Sequence, residues 1–165
     1  KEKIQDPNYL RHEFVAPNYR MPEIVAAAGI SQLEKSDIFL KKRIYIGKLF
    51  LKVLKKYNFI SYQKTPKNYV HSYWTIAFYF NTKNLWREFR KKFISKGGDP
   101  FFSCWKLTYQ EPALKNLNYK PSCPNAEFLQ KRLILLKTNY NSKIHSKKQA
   151  MILDSSLKYF KENYF

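Results

Sequence analysis

The sequence predicts an α/β domain in which a long helix is followed by a small sheet with helices packed on it, and three observations predict it. Apolar residues recur at three-, four- and seven-residue steps over 22–57 and again over 142–164, the period of a helix with one buried face. Between them, 72–80 reads Ser-Tyr-Trp-Thr-Ile-Ala-Phe-Tyr-Phe, dense in the aromatic and β-branched residues that suit a strand. Finally, 165 residues with 44% hydrophobic and 18% aromatic side chains are enough to bury one core and too few for two full domains.

Each element has its own local signals. Pro22 suits the first helical position, and Leu33, Leu40, Ile44, Leu51 and Leu54 follow in register, giving one long helix or two abutting ones with Gly29 and Gly47 as weak points. Lys48, Lys52, Lys55 and Lys56 line its opposite face. A polar stretch with Pro66 separates this helix from the aromatic strand, which reads as buried on both faces. A short helix over 84–95 places Leu85, Phe89 and Phe93 together, and Gly97-Gly98 supply its exit. A second strand or loop runs through Phe102, Pro112, Pro121 and Pro124 punctuate an irregular region, and 126–132 reads as a short helix. The last helix, 142–164, aligns Ala150, Leu153, Leu157, Phe160 and Tyr164.

Composition narrows the partners. Thirty-one Lys and Arg against twelve Asp and Glu leave a formal charge of +19, which raises nucleic acid or an anionic surface as partners. Lys, Asn, Ile, Tyr and Phe share A/T-rich codons, so part of that charge reads as compositional drift carried on a solvated face. No helix-turn-helix spacing or RNP-like aromatic motif accompanies it, and no specific nucleic-acid site is expected. Trp74, Trp86 and Trp105, interleaved with lysines, could stack bases, but core positions suit them better. Apolar runs such as Leu133 to Leu136 fall far short of the roughly 20 residues that span a bilayer. The polar start at Lys1, with no initiator Met, reads as a fragment without a secretory signal. Cys104 and Cys123 stand singly, which implies neither a zinc site nor a disulfide framework and points to a reducing cytoplasm.

No nucleophile elbow, zincin helix, P-loop or dinucleotide fingerprint is present. His12, His71 and His145 are dispersed, so no metal site is expected. His71 stands at the start of the aromatic strand, either as a functional strand-end residue or as an ordinary edge histidine. The segment that carries most information is Asn18-Tyr19-Arg20-Met21-Pro22-Glu23-Ile24-Val25-Ala26-Ala27-Ala28-Gly29-Ile30-Ser31-Gln32-Leu33. It resembles the N-Y-R-M-x-E-I-x-A-A-x-G-x-x-Q-L signature of the DegT/DnrJ/StrS family of pyridoxal-phosphate-dependent sugar aminotransferases. His71-Ser72-Tyr73-Trp74, Gly97-Gly98-Asp99 and Cys123-Pro124-Asn125-Ala126-Glu127 resemble later segments of the same family, so the likeness runs over about 9–165. Ala16-Pro17 depart from its usual Gly and aromatic residue.

The resemblance implies the C-terminal small domain of an aspartate-aminotransferase-like, fold type I enzyme. Residues 1–20 would end the large-domain region and carry a cofactor-contacting loop, and 21–165 would form the small domain with its long connecting helix. It implies a homodimeric, cytoplasmic enzyme that moves an amino group from glutamate or glutamine onto a nucleotide-linked keto-sugar for polysaccharide or glycan synthesis. Asn18 matches the family asparagine that reaches the pyridoxal 5′-phosphate of the neighbouring subunit, as an amide can donate to a phosphate oxygen. Arg20 matches the motif's arginine, which either binds an anionic group of the substrate or holds the loop by a structural ion pair. His71 and Tyr73 would line the sugar-nucleotide pocket. The chemistry also needs a Schiff-base lysine and an acidic partner for the pyridinium nitrogen. The family's lysine precedes a T-T-G-E-G-G-like run that is absent here, so no catalytic residue is assigned and the chain alone is expected to be inactive. The alternatives are a small basic nucleic-acid-binding protein and an inactive split-gene interaction domain.

Overall fold

The computed structural model of the chain describes residues 8, 10, 15, 21–115 and 121–165. The first helical region divides into α1 (Glu23–Leu33) and α2 (Ser36–Leu54). The break falls at Glu34 and Lys35, not at either glycine: Gly29 lies within α1 and Gly47 within α2. Strands β1 (Ile60–Tyr62) and β2 (Thr75–Phe80) follow, then helix α3 (Trp86–Ser95) and strand β3 (Phe102–Ser103). A 3-10 turn at Thr108–Gln110 leads into α4 (Pro112–Lys115), α5 (Pro124–Gln130), strand β4 (Ile134–Lys137) and the long α6 (Lys143–Tyr164).

The strands form one antiparallel sheet in the order β1-β2-β4-β3, with Ile60 opposite Phe80, Phe78 opposite Ile134 and Phe102 opposite Leu135. Strand alternation sends Ile76, Phe78, Phe80, Ile134 and Leu136 to one face. There they meet Phe50 and Leu54 of α2, Phe89 and Phe93 of α3, and Leu153, Leu157 and Phe160 of α6 in one buried cluster. Thr75, Ala77 and Tyr79 point the other way and are only partly covered, so β2 is not buried on both faces as its composition suggested. The tryptophans also depart from expectation. Trp74 and Trp105 are 69% and 50% exposed, because they flank the strands and not the helix-covered face.

Helix ends follow the sequence more closely. The N–H of Gly97 donates to Ile94 O and that of Gly98 to Phe93 O, the paired bonds that close a helix through a left-handed residue, here Gly97 at φ +85°. The Gln149 side chain of α6 then holds this turn, accepting from the Asp99 N–H at 2.9 Å and donating to Gly97 O at 3.2 Å. At the start of α6, the Ser142 hydroxyl accepts from the His145 N–H at 3.3 Å as an N-cap. Strands β1 and β4 lie where the sequence showed a polar stretch and a short apolar run. At three and four residues, neither is long enough for periodicity to separate strand from helix. Helix α5 begins at Pro124, which occupies its first turn, and ends at Gln130, earlier at both ends than the sequence suggested.

Helix α1 stands apart from this packing. Its sequence is apolar around most of its circumference, the pattern of a helix enclosed on all sides, yet none of its residues is buried. Met21, Ile24, Ile30 and Leu33 are at least 63% exposed, and Ile38 at the start of α2 extends the same surface. Among the described residues, no helix is long and apolar enough to cross a membrane.

Gly47 is an exception to the usual cost of glycine inside a helix, because a β-carbon there would overlap the base of the Tyr73 ring. Gly47→Ala is therefore expected to destabilise the fold by about 1–3 kcal/mol through overpacking, although alanine favours helix by about 1 kcal/mol. Urea denaturation checks this. A stabilised Gly47→Ala protein would mean that Tyr73 does not occupy the notch.

Candidate functional site

The connection from β1 to β2 ends in His71-Ser72-Tyr73-Trp74, and its backbone is unusual. Tyr73 has φ +51°, in the left-handed region that disfavours an L residue by roughly 1–2 kcal/mol. Strain of this kind persists only where surrounding contacts impose it, and it gathers at functional sites. Four residues impose it here. The Tyr73 N–H donates to His71 Nδ1 at 2.7 Å, and the two rings stack with centroids 4.4 Å apart. The Tyr73 ring fills the notch at Gly47. The hydroxyl of Thr138, only 1% exposed, is shared between the carbonyls of Tyr73 and Trp74, the latter at 2.9 Å. Arg43 donates to the Trp74 carbonyl at 3.1 Å from α2.

This arrangement defines what His71 can do. With Nδ1 occupied as an acceptor, the neutral ring carries its proton on Nε2 and presents a donor there. His71 and Tyr73 are both half-buried, so the pair is anchored on one side and accessible on the other. Trp74 continues onto the partly covered side of the sheet, where it lines an apolar groove of about 310 Å³ with Thr75, Phe102 and Leu135.

The structure thus brings His71 and Tyr73 into direct contact, as the sequence grouped them. Asn18 and Arg20, and the Ala16-Pro17 departure, lie outside the described residues. Sequence reasoning missed the supports Arg43, Gly47 and Thr138. Gly47 was visible only as a helix weakness, and nothing local marks Thr138, whose partners are more than sixty residues away.

Two further side-chain systems bear on the surroundings. The Tyr109 hydroxyl donates to Glu127 at 2.7 Å, and desolvation with that carboxylate pushes its pKa up to about 12. Burial raises the Cys104 thiol, which therefore stays protonated and a poor nucleophile. Among the described residues, no three His, Cys, Asp or Glu side chains gather into a metal-binding group. The recess beside His71 and Tyr73 measures about 10 Å³, room for roughly one water. It does not accommodate a cofactor ring.

Comparison with known proteins supplies the relatives. The DegT/DnrJ/EryC1/StrS aminotransferase family profile matches residues 2–155. The GDP-perosamine synthase of Escherichia coli O157:H7 is 29% identical over 85 residues, which is 52% of this chain and 23% of that protein. Among solved structures, an aminotransferase from Psychrobacter cryohalolentis superposes with a TM-score of 0.76 at 20% identity, over 91% of this chain and 42% of its own. S. venezuelae DesV, solved in complex with a ketimine intermediate, gives 0.73 at 18% identity, over 94% and 40%. Helicobacter pylori PseC, an aminotransferase involved in the biosynthesis of pseudoaminic acid, gives 0.69 at 16% identity, over 96% and 45%. The chain therefore spans about a quarter of the curated relative and under half of these solved chains. The fold is that of the small domain of fold type I aminotransferases.

Thr138→Val keeps the side-chain shape and removes the shared hydroxyl. It is expected to cost about 1–3 kcal/mol, the penalty for leaving buried carbonyls short of a donor, and to release Tyr73 from its left-handed conformation. Urea denaturation measures the first effect. The His71 ring resonances report the second, since Nδ1 loses the Tyr73 N–H. Unchanged stability and unchanged His71 resonances would remove Thr138 from the site.

Proposed function

Given that the chain belongs to the DegT/DnrJ/EryC1/StrS aminotransferase family, whose members are pyridoxal-phosphate-dependent, we propose that it is the C-terminal small domain of a nucleotide-sugar aminotransferase. The observation that carries this reading beyond the family is α1. An apolar helix with no buried residue, beginning within the Asn18 to Leu33 motif, is a surface suited to lie against a cofactor-binding domain. On this reading 1–20 close the large-domain region and 21–165 form the small domain. The complete enzyme works in the cytoplasm as a homodimer that transfers the amino group of glutamate or glutamine to a nucleotide-linked keto-sugar for polysaccharide or glycan synthesis.

Pyridoxal phosphate, when bound, supplies the electron sink for that transfer. The roles proposed for this chain are binding and orientation. Asn18 donates its amide to the cofactor phosphate of the neighbouring subunit. Arg20 pairs with an anionic group of the substrate. His71 offers its Nε2 proton to the sugar nucleotide, and Tyr73 fixes the plane of the imidazole. The Schiff-base lysine belongs to the part of the aminotransferases that this chain does not span. The net charge of +19 assists by attracting a sugar diphosphate.

The exposed α1 also suits an interaction domain encoded apart from its catalytic half, and the charge suits nucleic acid. One set of assays separates the three readings. With pyridoxal phosphate, glutamate or glutamine, and nucleotide keto-sugars, the 165-residue chain is expected to give no aminated sugar. The complete protein carrying the chain is expected to give it. In that protein Asn18→Ala should weaken cofactor retention about tenfold or more, since a hydrogen bond to a charged group is worth about 1.5–3 kcal/mol. Turnover by the chain alone would overturn the proposed division of labour. Activity that appears only on adding a separate polypeptide would establish the split arrangement. Micromolar, steeply salt-dependent RNA or DNA binding without amination would favour nucleic acid.

A further inference from the structure

A second cavity, of about 400 Å³, lies between α2 and the start of α6, lined by none of the residues of the His71 loop. That volume is within the roughly 300–1,000 Å³ usual for small-molecule sites. Its floor is apolar: Ile46 is 3% exposed, and the rings of Tyr45 and Tyr140 form part of the wall. Phe50 holds Tyr140 edge-on, with ring centroids 6.2 Å apart. Lys41 and Lys42 reach the cavity from α2 and Lys143 from α6, and among the described residues no Asp or Glu lines it. Lys143 Nζ stands 5.8 Å from the Tyr45 ring centre, so the cationic and aromatic parts adjoin.

The α2 contribution follows from helix geometry. Positions 38, 41, 42, 45 and 46 share one face at three- and four-residue steps, so α2 presents two cations beside an aromatic ring and two isoleucines. Farther along the same helix, Lys56 has a carboxylate partner, Asp154, at 2.8 Å. Among the described residues, no carboxylate pairs with the three lysines of the cavity, and like charges gathered over an apolar floor favour an anion that neutralises them. Burial and the Asp99 carboxylate push the Tyr140 hydroxyl up, which keeps it a neutral donor at physiological pH.

We propose that this cavity binds an organic phosphate that carries a flat ring, with the ring against Tyr45 and Tyr140 and the phosphate among Lys41, Lys42 and Lys143. Compact ammonium groups suit a phosphate as point charges, and an aromatic wall suits a ring of any base or vitamin type. The site is independent of the amination reaction, and its test requires no turnover.

The test is calorimetric titration of the protein with uridine 5′-monophosphate and, separately, with pyridoxine 5′-phosphate, which lacks the aldehyde that would modify lysines. Uridine, pyridoxine and inorganic phosphate serve as the corresponding parts. Saturable binding of at least one ring phosphate is expected, tighter than either of its parts by about tenfold, and the tighter ligand distinguishes a nucleotide from a vitamin source. The pair Lys42→Gln and Lys143→Gln should weaken it about tenfold, whereas Lys52→Gln, on the exposed stripe of α2, should leave it unchanged. No saturable binding would overturn the proposal. So would inorganic phosphate matching the ring phosphates, or binding that the Lys42→Gln, Lys143→Gln protein retains in full.

Discussion

The ring of Phe80 occupies the junction on which the domain is built. It lies 5.4 Å from Phe160 of α6, 5.7 Å from Phe89 of α3 and 6.1 Å from Phe59 ahead of β1, all measured between ring centres. Sheet and helices thus converge on a single side chain at the end of β2. Aromatic pairs in such geometry contribute about 0.5–1.5 kcal/mol beyond their buried area, and the rings restrict one another's orientation. The consequence reaches the other end of β2. Once Phe80, Phe78 and Ile76 point into the helices, alternation sends Thr75 outward, and the loop that precedes it must turn sharply to meet α2.

That turn is where packing and chemistry meet. The left-handed conformation of Tyr73 is held from four directions, by His71 within the loop, Gly47 and Arg43 on α2, and Thr138 after β4. Three of these supports belong to elements far apart in sequence, so the loop can take its shape only after the sheet and α2 have docked. The strain is small beside the burial energy of the core, and the Tyr73 N–H that donates to Nδ1 sets one tautomer of His71, with the proton of the neutral ring on Nε2. Helix α1 shows the opposite situation: among the described residues none covers its apolar surface enough to bury any of its side chains.

Much of the architecture was legible from local pattern. The apolar register of α6, the Phe89 and Phe93 face of α3 and the glycine exit at Gly97 are short-range signals, and each element formed where its signal stood. The likeness of Asn18 to Leu33 to a family signature identified the family, which composition could not. Strands β1 and β4 were not legible, because three or four residues carry no measurable period and their pairing is set by β2. The burial of β2 on one face only was likewise invisible, since Ala77, Tyr79 and Trp74 are apolar or aromatic whichever side they occupy. At the site, His71 stood out through its place at the start of the strand, and Tyr73 only through the family resemblance. Thr138 and Arg43 act through backbone carbonyls across the fold and leave no mark in their own neighbourhoods. The helix break at Glu34 and Lys35 has no glycine or proline behind it, and nothing in the local sequence explains it.

The central claim is that α1 is finished by another domain. Hydrogen exchange of the Glu23 to Leu33 amides, followed by mass spectrometry in the isolated chain and in the complete protein, tests it most directly. A helix without tertiary cover opens with little free-energy cost, whereas one packed into a core exchanges only by larger unfolding. The account predicts fast exchange of α1 in the isolated chain, beside slow exchange in β2 and α6, and strong protection of α1 in the complete protein. Protection of α1 already complete in the isolated chain, or still absent in the complete protein, would contradict it.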